Sequence, residues 1–249
     1  MNDMDRCARY SAYFTKDYMM GPNSIRLLDE LLRRTPSDAR FDHTLDLGCG
    51  QAVTSVFLAQ ETPAKAVYAL DLWISASDNY GRIRQSGLGE RIIPIHGDAM
   101  DMPFAHGYFD VIASVDACHY FGGEPGVFSE KVLPFVREGG HVMIAVPGLR
   151  REPEGAMDAL FREWADGDDA RLFHTADWWR SLLEAECGDR CDVAVKEAEC
   201  FDAAWRDWFE SGHEYGLRDR AYLEKGLDQV LNFVLICVRR KFPDSPLDK

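Results

Sequence analysis

The chain has 249 residues, 46% of them hydrophobic, enough for one large globular domain with helical additions. Its 42 acidic residues outnumber 28 basic ones, for a formal net charge of −14. Such a surface repels phosphate backbones and anionic membranes, so neither nucleic acid nor membrane is expected as a partner. No apolar run reaches the length of a transmembrane helix. The start, Met1 to Arg6, is acidic and has no apolar signal-peptide core, so a cytoplasmic location is expected. The seven cysteines are odd in number and form no Cys-x-x-Cys, which fits reduced thiols. Cys187, Cys191 and Cys200 are nevertheless close enough in sequence for a metal or arsenic site to be considered.

In chain order, Tyr10, Tyr13, Phe14 and Tyr18 form an aromatic cluster ahead of Gly21-Pro22, which breaks structure. Asn23 or Ser24 can cap the next helix, whose Ile25, Leu28 and Leu32 make an apolar stripe. Leu45-Asp46-Leu47 then reads as the end of a buried strand, followed by Gly48-Cys49-Gly50 and by Val53, Val56 and Phe57 at helical spacing. A strand, a tight glycine turn and a helix allow the backbone to approach a ligand, because no Cβ intrudes. A lone Gly-x-Gly is equally compatible with an ordinary turn. The context adds more. A second strand, Ala66 to Leu70, ends in Asp71, twenty-five residues beyond Asp46, as a βαβ unit requires. A third, Ile92 to Ile95, leads to Gly97-Asp98-Ala99, and a fourth, Phe109 to Ser114, leads to Asp116. Four successive strand ends thus carry carboxylates, as a site at the carboxyl edge of a sheet would.

These residues, Asp46-Leu47-Gly48-Cys49-Gly50, Asp71, Gly97-Asp98-Ala99 and the strand from Phe109 to Ser114, resemble class I S-adenosylmethionine-dependent methyltransferases. The small-molecule branch, type 11 and quinone-pathway-like, is the nearer resemblance, covering roughly 45–147. It implies an α/β fold: a Rossmann-like, seven-stranded, mostly parallel sheet with helices on both faces, the last strand antiparallel, a helical N-terminal lid and a C-terminal insertion. The implied organisation is a single domain over 1–242, with lid 1–40, cofactor half 41–148, substrate-side half 149–242 and a tail at 243–249. The implied cofactor is S-adenosyl-L-methionine, held by Asp46, Gly48, Cys49, Gly50, Asp71, Leu72, Asp98, Ala99 and Ser114. Ala52 stands where the family often has a third glycine, and Val53 breaks the dinucleotide fingerprint, which argues against NAD. The resemblance also turns Tyr10, Tyr13 and Tyr18 into lid residues over a sulfonium cation. The alternative is that they pack the first helix onto the sheet.

Ser114 to Phe121 is the second place for chemistry. Asp116, His119 and Tyr120 crowd the loop after the fourth strand, with His119 as a proton acceptor and Asp116 orienting it or binding an amine substrate directly, or else with a packed histidine beside a capping Asp116. Beyond it, a helix over 127–137 and a fifth strand over 141–146 are expected. The later chain is read as charged and aromatic helices and two closing strands, with Phe173, Trp178, Trp179, Trp205, Trp208 and Tyr215 able to wall a pocket or simply to pack. The expected activity is metal-free, in-line methyl transfer to a small-molecule acceptor, aromatic or apolar in character, since no His-Glu-x-x-His signature appears. Two alternatives stand beside it, a thiol-dependent arsenite methyltransferase using Cys118 and a non-catalytic cofactor-binding protein. Oligomeric state is left open, a homodimer included.

Overall fold

The structure, a computed structural model, describes residues 6–243. Most of the acidic start and nearly all of the expected tail therefore lie outside the described residues. The sheet is built from β1 (His43–Leu47), β2 (Ala66–Asp71), β3 (Ile92–His96), β4 (Phe109–Val115), β5 (Val136–Leu149), a two-residue β6 (His174–Thr175), β7 (Cys191–Glu197) and β8 (Leu231–Arg240). Their order is β3-β2-β1-β4-β5-β8-β7, with β6 beside β5. β1 to β5 run parallel, and β8 inserts antiparallel between β5 and β7. This is the expected Rossmann-like sheet. The chain moves outward from β1 through β2 to β3, then returns to β4 on the other side of β1. A crevice must open where the order reverses, outside the carboxyl ends of β1 and β4.

The strands are apolar on both faces because both faces are covered. β4 is buried at every position. Against one face pack Leu28 and Leu31 of α1 (Ser24–Arg34), Phe57 of α2 (Val53–Glu61) and Ile83 of α3 (Ala76–Gln85). α4 (Ala156–Trp164) joins that side through Phe161 and Trp164. So does α6 (Phe201–Glu210), through Trp205 and Trp208. Against the other face lie Phe128, Val132, and Trp179 and Leu183 of α5 (Ala176–Cys187). α7 (Glu214–Leu223) packs on α6 and α4.

The helix expected over 127–137 is not formed. One π turn, Phe128–Val132, and one 3-10 turn, Leu133–Phe135, take its place, and β5 already begins at Val136. Pro134 has no N–H to continue an α-helix, and the chain reaches the sheet edge one turn early.

The N-terminal segment is fixed to α6. Asn23 caps α1 by accepting from the Ile25 amide, and its own side chain donates to Asp207 at 2.7 Å. Arg26 pairs with the same carboxylate. The Asn23 amide donates to Ala204 O at 3.1 Å, and Lys16 to Ser211 O at 2.9 Å. Replacing Asp207 by Ala strands a buried amide and a guanidinium together. Asp207→Ala is expected to lower the unfolding free energy by about 2 kcal/mol, read as a lower urea midpoint with an unchanged slope.

Candidate active site

The site begins with the turn between β1 and α2. Gly48 and Gly50 sit at φ +76° and +51°, and a Cβ on Gly48 would stand 2.3 Å from the Ala117 Cβ. Glycine is thus required twice, by backbone conformation and by the approach of the β4 loop. Ala52 also takes a left-handed φ, +62°, at the N-cap of α2. The family's usual glycine would relax there, so alanine carries a local strain of about 1 kcal/mol.

Asp71, at the end of β2, holds this turn. One carboxylate oxygen accepts the Gly50 amide at 2.7 Å, the other the Trp73 and Ile74 amides at 2.8 Å each. The buried Asn79 of α3 donates to Gly50 O at 2.9 Å. Asn79 gave no signal in the sequence beyond being a polar residue in a polar helix. Beneath the turn, buried Asp46 accepts hydroxyl hydrogen bonds from Thr54 and Ser55 at 2.7 and 2.6 Å on one oxygen, while the other has no partner. Burial pushes its carboxyl up to about 6, despite the two hydroxyls.

A cavity of about 400 Å³ opens over these elements at the switch point. Gly48, Cys49, Gly50, Asp71, Leu72, Asp98 and Ala99 line it, and so do Asp116, Tyr120, Tyr13 and Tyr18. Met20, Asn23 and Gln51 line it too, and Gln51 Oε1 is buried without a partner. The break at Gly21-Pro22 was the available sign that this stretch bends over the site.

Other expected residues are elsewhere. Asp46 lies under the turn and not in the wall. Ser114 is enclosed within β4, its hydroxyl unpartnered, away from the cavity. Tyr10 is buried against Phe57, ring centroids 4.8 Å apart, and hydrogen-bonds Glu61. His119 is buried between Tyr120 and Phe173, off the cavity wall, and desolvation pushes its imidazole down to about 3. That makes it a poor proton acceptor near neutral pH. None of Phe173, Trp178, Trp179, Trp205, Trp208 and Tyr215 lines the cavity. Phe173, Trp205 and Trp208 pack in the core around α4 and α6, while Trp178 stacks on His174. The cysteines do not converge either. Cys187 and Cys191 touch each other, whereas Cys200 lies by Glu30 and Cys7, and Cys118 is buried against Gly122. The arsenite reading loses its thiol cluster.

Asp116 stands apart. Its backbone is left-handed, φ +57°, which a non-glycine residue adopts at a cost. A Cβ on Gly21 would come within 2.5 Å of its Oδ2, so the N-terminal segment crosses directly over the carboxylate. Burial, then the negative charge of Asp219, push Asp116 up to about 7. Asp219 is itself fixed by the indole N–H groups of Trp164 and Trp208 at 2.8 and 2.9 Å. Tyr120 packs edge-on to Trp73 at 5.0 Å and is pushed up to about 12 by burial, then by Asp116 and Asp169.

Residues 44–140 match the family model of a methyltransferase domain. The chain is 26% identical over 159 residues to methyltransferase GfsG of Streptomyces halstedii, covering 64% of this chain and 56% of the relative. It is 27% identical to an L-tyrosine C(3)-methyltransferase of Streptomyces lavendulae, over 57% of this chain and 40% of the relative. The chain therefore spans about half the length of these two relatives. Geranyl diphosphate C-methyltransferase from Streptomyces coelicolor A3(2), solved with Mg2+, geranyl diphosphate and S-adenosyl-L-homocysteine, superposes with a TM-score of 0.62 at 16% identity, covering 86% of this chain and 76% of that one. Residues 44–140 thus match a methyltransferase domain, and the sheet that carries them has the fold of that solved structure.

The two raised carboxyls set a pH dependence. A carboxyl harder to ionise folded than unfolded contributes stability below its unfolded value, 3.8, and loses it as pH rises through its folded value, about 6 for Asp46 and about 7 for Asp116. The ligand-free protein should therefore lose stability from these groups between about pH 5 and pH 8. Asp116→Asn should shrink that loss by about 2 kcal/mol, measured as the difference in urea unfolding free energy at the two pH values.

Proposed function

We propose that this chain is an S-adenosylmethionine-dependent methyltransferase that transfers a methyl group to a small-molecule acceptor by direct in-line displacement. The observation that carries the reading is the cavity itself. It joins the Gly48–Gly50 turn, Asp71 and Asp98, the ends of three successive strands, in one wall.

The residues present fit the cofactor. Side-chain-free backbone at Gly48 and Gly50 leaves room for the methionine portion. Asp71 Oδ2 accepts only one amide and keeps a lone pair facing a ribose hydroxyl. Asp98 is exposed and engages only the Met100 amide, so it can take the adenine amino group while the Ala99 amide donates to the ring. Leu72 and Trp73, both largely exposed at the rim, offer apolar faces to that ring. Asp46 supports the turn from below through Thr54, which itself lines the cavity.

The sulfonium supplies an already activated methyl group, so the displacement asks the protein for alignment and exclusion of water rather than an added Lewis acid. Tyr13, Phe14, Tyr18 and Met20 close the N-terminal side of the cavity, and Tyr120 and Phe121 the β4 side. These walls favour an acceptor with an apolar or aromatic body. Asp116 and Tyr120 are the polar groups on the acceptor side. His119, walled off and neutral, has no role at the reacting atoms.

S-adenosylhomocysteine should raise the melting temperature, at 100 times its Kd by the equivalent of about 2.7 kcal/mol, and NAD should not. Asp98→Ala should weaken S-adenosylhomocysteine binding by about 10-fold without moving the ligand-free melting temperature. Absence of any S-adenosylhomocysteine shift would sink the reading.

A further inference from the structure

We propose that the acceptor is an amine, that it enters the cavity as its ammonium ion, and that Asp116 receives the ammonium N–H and then its proton. The proposal rests on the methyltransferase reading and deepens it.

The first support is the charge of the wall. Asp71, Asp98 and Asp116 line the cavity, and no Lys, Arg or His does. With Asp71 and Asp98 given to the cofactor, an anionic acceptor would still meet the Asp116 carboxylate and no protein cation. A neutral alcohol would leave the charge of the wall unanswered.

The second is the state of Asp116. Among the described residues its one hydrogen bond is through its own amide, to Ala145 O at 2.8 Å. Asp46 and Asp71, by contrast, each satisfy a carboxylate with two or three protein donors. Asp116 is only partly buried and lines the cavity without a protein donor, so its carboxylate is open to a bound ammonium. The groups around it add to the case. Asp219 faces it from α7, Asp169 reaches the neighbouring Tyr120, and both are acids.

The third is placement. Gly21 has no side chain where a Cβ would lie 2.5 Å from Asp116 Oδ2, so the carboxylate is covered by bare backbone. Next along the β4 loop, Ala117 abuts Gly48 of the turn that receives the methionine portion. Asp116 is thereby held next to the loop that abuts this turn, on the side where a bound cofactor would present its methyl group. Tyr13 and Tyr18, edge to face at 5.1 Å, and Tyr120 offer ring faces to a cation.

The chemistry balances. Asp116 takes one proton from the ammonium, leaving a neutral amine with its lone pair free. The nitrogen–carbon bond forms as the carbon–sulfur bond breaks, its electron pair staying on sulfur. The products are a methylated ammonium, neutral S-adenosylhomocysteine and one proton, which Asp116 returns to solvent. The folded carboxyl sits near neutrality, where it can both accept and release that proton.

The test uses the full chain saturated with S-adenosylhomocysteine and three probes of one shape: phenethylamine, 2-phenylethanol and phenyl phosphate. Calorimetry should show the amine binding at least about 10-fold tighter than the alcohol, with the phosphate weakest. Asp116→Asn should erase the amine preference and keep S-adenosylhomocysteine affinity. Asn tolerates a left-handed φ, so the loop survives the change, and the probe ranking of the unaltered protein is a test independent of any variant. Lack of preference among the probes, preference for the alcohol or phosphate, or retention of the amine preference in Asp116→Asn overturns the proposal. So does a loss of S-adenosylhomocysteine affinity of about 10-fold or more in that variant, which would assign Asp116 to the cofactor. Failure of S-adenosylhomocysteine to bind the unaltered protein instead removes the methyltransferase reading beneath it.

Discussion

Three backbone amides converge on one carboxylate. Gly50, Trp73 and Ile74 all donate to Asp71, so a single side chain ties the turn after β1 to the turn after β2. Backbone N–H groups at loop positions have no ladder partner, and leaving them buried is costly. By answering three at once, Asp71 makes both loops rigid before any ligand arrives. The Gly48 and Cys49 amides extend the same connection by donating to Leu70 O. The floor of the cavity is thus preorganised by a residue that also faces its interior, and ligand binding need not supply the ordering entropy.

The opposite wall is built differently. There the N-terminal segment is drawn over the β4 loop, held by Asp207 to Asn23 and Arg26 and by backbone bonds to α6. Of that clasp, Asn23 itself lines the cavity. The clasp's effect is transmitted through Gly21, whose missing side chain lets the segment settle onto Asp116. The same aromatic residues do two jobs. Tyr10 packs α2 and secures the segment, whereas Tyr13 and Tyr18 turn toward the cavity. Packing and cavity lining are therefore not alternatives here. They are divided along one stretch of chain.

The strand ends were legible in the sequence because each is a short apolar run stopped by an acid or a glycine, and parallel register then brings those stops to one edge. Asp71, Asp98 and Asp116 follow from that rule alone. The segment before β5 was not legible, because an apolar pattern with helical spacing hides the single missing donor of Pro134. His119 misled for a different reason. Tyr120, next in sequence, lines the cavity, but a 3-10 turn rotates successive side chains by about a third of a circle, and His119 points inward to Phe173. The late tryptophans misled because size signals burial without saying against what. Asp219 was invisible altogether. It matters only through two indoles and an unseen neighbour some hundred residues earlier in the chain.

Asp219 also shows how the site is tuned. Its two oxygens accept indole N–H hydrogen bonds, and Arg218 Nε lies 3.8 Å from one of them. Its negative charge still acts on Asp116. Burial first, and that charge second, make Asp116 harder to ionise than a free carboxyl. In a chain with a net charge of −14, no long-range field relieves that tension. Whatever cation settles in the cavity shifts Asp116 toward its ionised form, so ligand binding and proton release are linked quantities. On the amine proposal, such a site would select its ligand by charge first and shape second, because the unmet carboxylate is present in the free protein and the aromatic walls would only refine what it admits.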